Sequence, residues 1–300
     1  MQAKEAVLKA RAIGKCIPAF NIPHIPMVKP IMQAIVDEDS VAMVQVARAE
    51  WEKFHAESME RVAEEFMKYR AEDNTLLHLD HIPVIDEDGK PAEYMDIMRR
   101  AVALGFQSVM LDGSRLSLAD NIRCTAEVAE FVHAFDIPCE AELGAVMGHE
   151  SVMPPYEEIF QKKMGFTKVD EAVRFVKESG CDWLSVAAGS VHGRIAEAVR
   201  NQKKPAARLD VSHIREIYEQ VQIPLVLHGG SGIRYEYIMD AIASGIAKIN
   251  VGTELRQTYE FALEEKPGDI PFAQDKVYQK VREYLHDYLD ISGLRKQIKA

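Results

Sequence analysis

The stretch TLLHLDH, residues 75–81, is an apolar run that carries two histidines and an aspartate near its end. Its composition indicates a β-strand, in which successive side chains point to opposite faces. His78 and Asp80 would then share one face, while Leu79 and His81 share the other. Burying such polar groups is costly unless each finds a partner. A strand that ends in this way indicates a functional site at its carboxyl end.

Seven other short apolar runs alternate with helical patterns along the chain. The predicted strands are IPAFNI (17–22), VAMVQVA (41–47), TLLHLDH (75–81), SVMLDG (108–113), PCEAELG (138–144), WLSVAAG (183–189), PLVLHGG (224–230) and AKINVG (247–252). The segments between them carry apolar residues at three- and four-residue spacing and end near glycine. Eight strands that alternate with helices predict a closed parallel (β/α)8 barrel, known as a TIM barrel. An open doubly wound sheet is disfavoured because no GxGxxG follows the first strand.

Composition and length favour one soluble globular domain. With 47% hydrophobic and 28% charged residues, the 300-residue chain can bury a full core. We predict a single barrel domain over residues 1–300, with a C-terminal helical extension from about residue 273 to residue 300. No apolar run approaches the ~18 residues of a membrane span. The first residues form a charged helical pattern without a signal-peptide core, so we expect a cytoplasmic protein.

The net charge of −11 argues against a nucleic-acid partner or an anionic membrane surface. It is compatible with an anionic small substrate, because backbone amides can hold a phosphate inside an acidic protein. The four cysteines lie far apart and form no CxxC pair. This spacing predicts reduced, mostly buried thiols rather than a disulfide framework or a zinc ribbon.

The ends of the predicted strands collect many polar side chains, and the carboxyl ends of barrel strands meet at one face. The residues are Asn21, Asp80, His81, Asp112, Glu142, His192, His228 and Asn250. A single barrel histidine is more often a hydrogen-bonded core or rim group than a ligand. Three histidines with two carboxylates between them nevertheless indicate a divalent metal site. Imidazoles with a carboxylate suit zinc, which keeps one position open for substrate in catalytic sites.

The alternation within LDH leaves the role of Asp80 open. Only one of Asp80 and His81 can follow the inward direction of the strand, but the turn that leaves the strand can re-aim the next side chain. An aspartate beside a metal-bound histidine serves as a ligand, an orienting partner or a proton carrier. His78 lies deeper in the strand and is expected to be a hydrogen-bonded core histidine.

Two glycine-rich pieces predict a phosphate site. LHGGSGI (227–233) follows the seventh strand and NVGTEL (250–255) follows the eighth. Glycines let backbone N–H groups approach a ligand, and a helix N-terminus favours negative charge. The loops after strands seven and eight are the recurrent phosphate site of the TIM barrel. Two long connections, about 145–168 and 193–209, lie on the same face and are typical of lids or binding loops.

These motifs resemble those of the class II, metal-dependent ketose-bisphosphate aldolases. The matching pieces, in order, are IPAFNI, HLDH, GFQSVMLDGS, EAELG, VHG, PLVLHGGSGI and AKINVGTEL, and they run from about Gly14 to Arg256. The best-known members act on fructose-1,6- and tagatose-1,6-bisphosphate. The resemblance implies a zinc-dependent retro-aldol cleavage of a ketose (bis)phosphate to dihydroxyacetone phosphate and an aldehyde, through a metal-stabilised enediolate. It also implies a homodimer or a homotetramer.

The resemblance further implies individual roles. His81, His192 and His228 would hold the zinc ion, Glu142 would be a ligand or near-ligand, and Asp112 would lie where a second cation sometimes binds. Asp80 matches the proton-transfer aspartate, and Glu150 corresponds to a mobile-loop glutamate that handles the other proton. The substrate- and phosphate-binding positions are Asn21, Gly193, Gly229, Gly230, Ser231, Asn250, Gly252 and Thr253.

The chain departs from the family pattern around the aldehyde half of the substrate. VARAEWEKF (46–54) stands where a small Ser-x-Gly segment is usual, Ile82 replaces a glycine after HLDH, and Arg115 replaces a histidine. The long loop AVMGHESVMPP also differs from the usual glycine-rich acidic turn. We therefore expect the dihydroxyacetone phosphate half to be retained. Arg48 and Arg115 are candidates for binding a distal phosphate, sulfonate or carboxylate, and solvated surface arginines are the alternative.

Three other functions compete with cleavage of a common ketose bisphosphate. One is an aldolase for a modified sugar phosphate with a sulfonated, carboxylated or deoxy distal group. The second is a metal-dependent hydrolase, which is disfavoured because the first strand carries AFN rather than HxH. The third is a non-catalytic barrel that binds a sugar phosphate, which is disfavoured because Asp80 and all three histidines are present.

Overall fold

A computed structural model of the chain describes residues 1–86, 88–145, 155–190, 207–230 and 233–299. Eight parallel strands close into a barrel in chain order, with the last strand paired to the first. The strands are β1 (Ile17–Asn21), β2 (Ala42–Ala47), β3 (Thr75–Pro83), β4 (Ser108–Asp112), β5 (Cys139–Leu143), β6 (Trp183–Val186), β7 (Leu225–Leu227) and β8 (Ile246–Val251). Each overlaps a strand predicted from the sequence, and the predicted (β/α)8 barrel is confirmed.

Helices cover the outside of the barrel, so that the strands are buried on both faces. The α-helices are α1 (Ala3–Ala12), α2 (Val28–Asp37), α3 (Arg48–Lys53), α4 (Met59–Tyr69), α5 (Tyr94–Ala103), α6 (Leu118–His133), α7 (Tyr156–Gln161), α8 (Val169–Ser179), α9 (Val211–Val221), α10 (Tyr235–Ala243), α11 (Thr253–Glu265), α12 (Ile270–Glu283) and α13 (Leu294–Lys299). A short 3₁₀ helix covers Ile25–Met27 and a π-helical turn covers Tyr284–Tyr288.

Local sequence explains how these helices pack and end. Helix α8 buries Ala172 and Phe175 on one face, as expected from their three-residue spacing. It ends at Gly180, whose φ of +70° is the left-handed conformation that favours glycine. Helix α12 lies against α2 and α11 and buries Val277 and Val281, one helical turn apart. The C-terminal segment therefore packs on the outside of the barrel.

The structure also answers two expectations from the composition. All four cysteines are buried free thiols that form no disulfide, as the sequence predicts. Within the described ranges, no helix has both the length and the apolarity needed to span a membrane.

The first of the two long connections predicted from the sequence, about 145–168, contains α7. Residues 146–154 of that connection lie outside the described ranges.

Candidate metal centre

Strand β3 departs from regular geometry at its carboxyl end, where the polar residues stand. Its register with β4 shifts between Leu79 and Ile82, and His81 has a φ of +38°. The left-handed conformation is uncommon for a residue other than glycine, and such irregularities concentrate at functional sites. The shift lets Asp80 and His81 both face polar groups at the barrel mouth, which strict alternation would prevent.

Side chains from β3, β4, β5 and the end of β7 converge at this mouth. His81 Nδ1 lies 3.2 Å from Asp112 Oδ2 and 3.8 Å from Glu142 Oε2. His228 Nδ1 lies 3.2 Å from the same Glu142 oxygen, and the two imidazole rings are 4.4 Å apart. Nitrogen and oxygen atoms of His81, Asp112 and Glu142 all lie within 4.8 Å of one another, as do those of Asp80, His81 and His228. This spacing is compatible with ligands around one ion.

The chemistry of the cluster fits a divalent cation. Glu142 Oε2 is buried and accepts no hydrogen bond of ordinary geometry from the residues that the structure describes. Burial opposes protonation of His81, yet the charge of Asp80, the hydrogen bond to Asp112 and the charge of Glu142 together raise its pKa to about 10. The pocket thus attracts positive charge, and imidazole nitrogens with a carboxylate oxygen are donors typical of zinc.

A buried carboxylate orients the second histidine. His228 Nε2 lies 2.9 Å from Glu140 Oε1. Because an ionised carboxylate only accepts hydrogen bonds, this contact places a proton on Nε2 and turns Nδ1 toward Glu142. A carboxylate behind a histidine is the usual way in which proteins fix the orientation of a metal ligand.

Asp80 is held as an ionised, oriented carboxylate by three side-chain amides. Its Oδ2 accepts hydrogen bonds from Asn21 Nδ2 at 3.0 Å and Gln45 Nε2 at 3.1 Å, and its Oδ1 accepts one from Asn250 Nδ2 at 2.9 Å. Burial would raise the pKa of Asp80, but the positive charge of neighbouring groups, chiefly His81, lowers it. A fixed carboxylate of this kind suits proton transfer.

One buried lysine connects the two parts of the site. Lys248 Nζ lies 2.9 Å from Glu140 Oε2 and donates to Asn250 Oδ1 at 2.7 Å, and its side chain is fully buried. By occupying the amide oxygen of Asn250, it directs the amide nitrogen toward Asp80. Short contacts thus run from His228 through Glu140, Lys248 and Asn250 to Asp80.

The loops after β7 and β8 lie side by side, because these strands pair. Gly229 has a φ of +67°, and a Cβ atom on Gly230 would lie 2.6 Å from Ile249 Cγ2. The backbone of Gly229 therefore favours glycine, and the space at Gly230 excludes a side chain. Thr253 begins α11, whose first N–H groups have no partner within the helix. Together the two loops offer backbone donors of the kind that bind phosphate.

The family model for class II fructose-bisphosphate aldolase matches residues 1–293. The chain belongs to the class II fructose-bisphosphate aldolase family. This family is metal-dependent, and its activity is that of a lyase. The histidines and carboxylates at the barrel mouth are the groups that would hold its metal ion.

Solved structures of class II aldolases share the whole fold. The YdjI aldolase from Escherichia coli K12 is 26% identical with a TM-score of 0.77, and the match covers 97% of this chain and 98% of that chain. A putative fructose-1,6-bisphosphate aldolase from Coccidioides immitis is 25% identical with a TM-score of 0.78, and 98% of each chain is covered. The fructose-bisphosphate aldolase from Campylobacter jejuni is 19% identical with a TM-score of 0.72, covers 96% of this chain and 94% of that one, and supports the fold alone.

Several residues that the aldolase pattern implies fall outside the described ranges. They are the ligand candidate His192, the phosphate-site candidates Gly193 and Ser231, and the loop glutamate Glu150. Asn21, Asn250 and Gly252 lie within the site. Gly252 approaches Asn21 so closely that an added Cβ atom would lie 3.1 Å from the amide oxygen.

The structure brings Arg48 and Arg115 together at the loop that follows β3. Arg115 Nη1 donates to the backbone oxygen of Asp86 at 2.6 Å, and Arg48 Nη1 lies 3.8 Å from Asp86 Oδ2. Arg48 also pairs with Glu52 at 2.8 Å. The two guanidinium groups thus flank one segment at the rim of the barrel.

Sequence reasoning missed three buried polar residues of the aldolase site. Glu140 lies two positions before Glu142 in β5, so the two-residue period of a strand placed both on one face. Gln45 was the single polar residue within VAMVQVA, which indicates a partner inside the barrel. Glu50 had no comparable signal, because its burial depends on how α3 leaves β2.

Proposed function

We propose that this class II aldolase is zinc-dependent and reversibly cleaves a ketose phosphate to dihydroxyacetone phosphate and an aldehyde. The observation that carries the proposal is the histidine–carboxylate cluster beside the amide-held carboxylate of Asp80. A metal-dependent aldol reaction needs these two features at one place: a cation site and an oriented proton acceptor.

The metal ligands in this proposal are the Nδ1 atoms of His81 and His228, with His192 as the third histidine by family resemblance. Glu142 directs a buried oxygen toward both described histidines and would be a ligand or near-ligand. Asp112 contacts the same Nδ1 atom of His81, so its carboxylate lies beside the cation position, and it is itself fixed by Ser114. The chemistry that the bound cation supplies is stabilisation of negative charge on the ketose fragment.

Asp80 would accept the proton of the C4 hydroxyl while the bond between C3 and C4 breaks. The bonding electron pair would then stay with the three-carbon fragment, which takes up a proton at C3 to become dihydroxyacetone phosphate, and the aldehyde forms at C4. Proton transfer by a positioned group of this kind is typically worth roughly 10²–10⁴-fold. The three amides keep Asp80 in place for both directions of the reaction.

The glycine loops would hold the phosphate of the dihydroxyacetone phosphate half. Gly229, Gly230 and Thr253 lie on the two adjacent loops after β7 and β8. Anchoring the phosphate there fixes the reacting carbons relative to Asp80 and the histidines, which lowers the entropic part of the barrier.

Two classes of substrate are candidates for this site. Fructose-1,6- and tagatose-1,6-bisphosphate are the first candidates. A ketose phosphate with another anionic distal group is the second, and Arg48 and Arg115 around Asp86 favour an anion at that end.

The test is cleavage of a panel of ketose 1-phosphates, including both bisphosphates and analogues with carboxylate, sulfonate or neutral distal ends. Dihydroxyacetone phosphate is measured by coupled reduction. We expect the zinc-loaded protein to release it from at least one member of the panel. A zinc-loaded, folded protein that releases none from any member contradicts the proposal.

A further inference from the structure

Glu50 is a buried acidic residue at the barrel mouth to which none of the roles above applies. It lies in the first turn of α3, which follows β2 directly, and only 8% of the residue is exposed. Its Oε2 accepts a hydrogen bond from the backbone N–H of Ala47 at 2.8 Å. This contact folds the side chain back over the end of β2.

The strand register places this carboxyl beside the proposed proton acceptor. Ala47 is the residue of β2 that pairs with Asp80 of β3, and Gln45 pairs with Asn21 of β1. A carboxyl held on the N–H of Ala47 therefore stands between the ends of β1 and β3. Burial raises the pKa of Glu50 to about 8, the Ala47 hydrogen bond opposes this rise, and the charge of Asp80 adds to it. Glu50 thus lies beside Asp80, the group that is proposed to accept the substrate's proton.

Helix capping does not by itself account for an acid at this position. A glutamate three residues into a helix often accepts a hydrogen bond from the backbone N–H of the N-cap, as Glu50 does. One oxygen meets that requirement, and a glutamine would meet it without adding a second acidic group near Asp80. The carboxyl group also hydrogen-bonds the side chain of Asn21, whose amide holds Asp80. Because each carboxylate oxygen can accept more than one hydrogen bond, Glu50 can also bind a polar group that enters the barrel mouth.

We propose that Glu50 is a specificity residue that hydrogen-bonds a hydroxyl on the carbon next to the reacting aldehyde carbon. The inference rests on the proposed function, in which Asp80 acts at the C4 hydroxyl. Glu50 lies on the β2 side of Asp80, whereas His81 and Glu142 lie in β3 and β5 and His228 directly follows β7. In this proposal the carbon chain of the substrate runs away from the metal ligands and passes Asp80 at C4. The next carbon, C5, therefore lies beside Glu50.

This arrangement defines the class of aldehyde as 2-hydroxyaldehydes. A carboxyl group can donate or accept a hydrogen bond with a neutral hydroxyl, and it disfavours an anion at the same place. An anionic group farther along the chain would instead meet Arg48 and Arg115. A site built to hydrogen-bond a substrate hydroxyl rejects the analogue that lacks it. Among the candidate substrates, those with a C5 hydroxyl are therefore favoured over 5-deoxy compounds.

The experiment uses the zinc-loaded protein in the condensation direction, with dihydroxyacetone phosphate and two aldehydes that differ by one hydroxyl. These are D-glyceraldehyde and 3-hydroxypropanal. We expect the wild type to prefer glyceraldehyde by about 10-fold or more in kcat/KM. Glu50→Ala should remove most of this preference by lowering kcat/KM for glyceraldehyde, with a higher KM, and should leave 3-hydroxypropanal within about twofold. Glu50→Gln, which keeps a hydrogen-bonding head group, should retain much of the preference.

Glu52→Gln is the matched control, because Glu52 lies on the same helix and forms an ion pair with Arg48, which neither aldehyde can engage through an anion. It should keep the wild-type preference. An equal loss for both aldehydes in Glu50→Ala would show a role in capping alone and overturn the inference. A wild type that uses both aldehydes equally would overturn it without any variant, and would leave the proposed function standing. A wild type that condenses neither aldehyde would overturn the inference, whereas the proposed function is overturned only if the panel of ketose 1-phosphates also releases no dihydroxyacetone phosphate.

Discussion

The inner and outer parts of the barrel mouth are built in different ways. In the inner part, around β3, β5, β7 and β8, buried polar groups bind one another, and the sequence follows the aldolase pattern. In the outer part, α3 and the loop after β3 carry Arg48, Glu50 and Asp86, and the sequence departs from that pattern. A buried network fixes every member, whereas a rim helix or loop can change without disturbing the core. The difference suggests that the inner part sets the reaction and the outer part sets the aldehyde.

The largest effect is expected from removal of a metal ligand in the inner part. His228→Ala should lower cleavage by on the order of 10³-fold or more, because several kcal/mol of charge stabilisation depend on the cation. The zinc content per chain, measured by elemental mass spectrometry, should fall together with the activity. His133→Ala is the control, since His133 is an exposed histidine paired with Asp182 at the other end of β5 and β6. If the His228→Ala protein kept wild-type activity, the inner part of the barrel mouth would have no role in the reaction.

A slightly smaller effect is expected when proton transfer is removed and the metal is kept. Asp80→Asn retains the shape of the side chain but loses the ionised oxygen that would accept the C4 proton. Turnover should fall by about 10²–10⁴-fold. Zinc content should stay at the wild-type level, and this separates the role of Asp80 from that of His228. Loss of zinc together with turnover would instead make Asp80 a ligand.

The carboxylate behind His228 should affect metal affinity more than turnover. Glu140→Gln removes the charge that orients His228 and neutralises Lys248, so zinc affinity should fall by about 10–100-fold. Competition with a chelator of known affinity measures this change. Glu178→Gln removes a carboxylate from an exposed ion pair with Arg174 and should have no effect. Unchanged affinity in Glu140→Gln would show that the network serves packing alone.

The smallest effect is expected at the rim. Arg115→Ala should lower kcat/KM by about 3- to 10-fold for substrates with a distal anion, since a charge contact from an exposed side chain contributes little. Substrates with a neutral distal end should react as with the wild type. The exposed Arg123 on α6 provides the control substitution Arg123→Ala. Equal specificity in Arg115→Ala and the wild type would assign Arg115 to the Asp86 loop alone.

How much the sequence predicts also differs between the two parts. Strand alternation and helical periodicity predict the barrel, and the strand ends place Asp80, His81, Glu142 and His228 together. The simultaneous use of Asp80 and His81 depends on a register shift and a left-handed residue, which no local pattern encodes. The attachment of Arg115 to the backbone of Asp86 depends on the shape of an irregular loop. Loop shape is set by contacts between residues that are distant in sequence. The sequence therefore identified candidate binding residues at the rim, but it did not predict where their side chains lie.

The most direct test of the central claim is a zinc titration of the chelated protein, with bound metal and release of dihydroxyacetone phosphate measured on the same samples. If the imidazoles and carboxylates at the barrel mouth hold the catalytic ion, the rate will rise in proportion to bound zinc and level off at about one ion per chain. A full cleavage rate in the metal-free protein would contradict that claim.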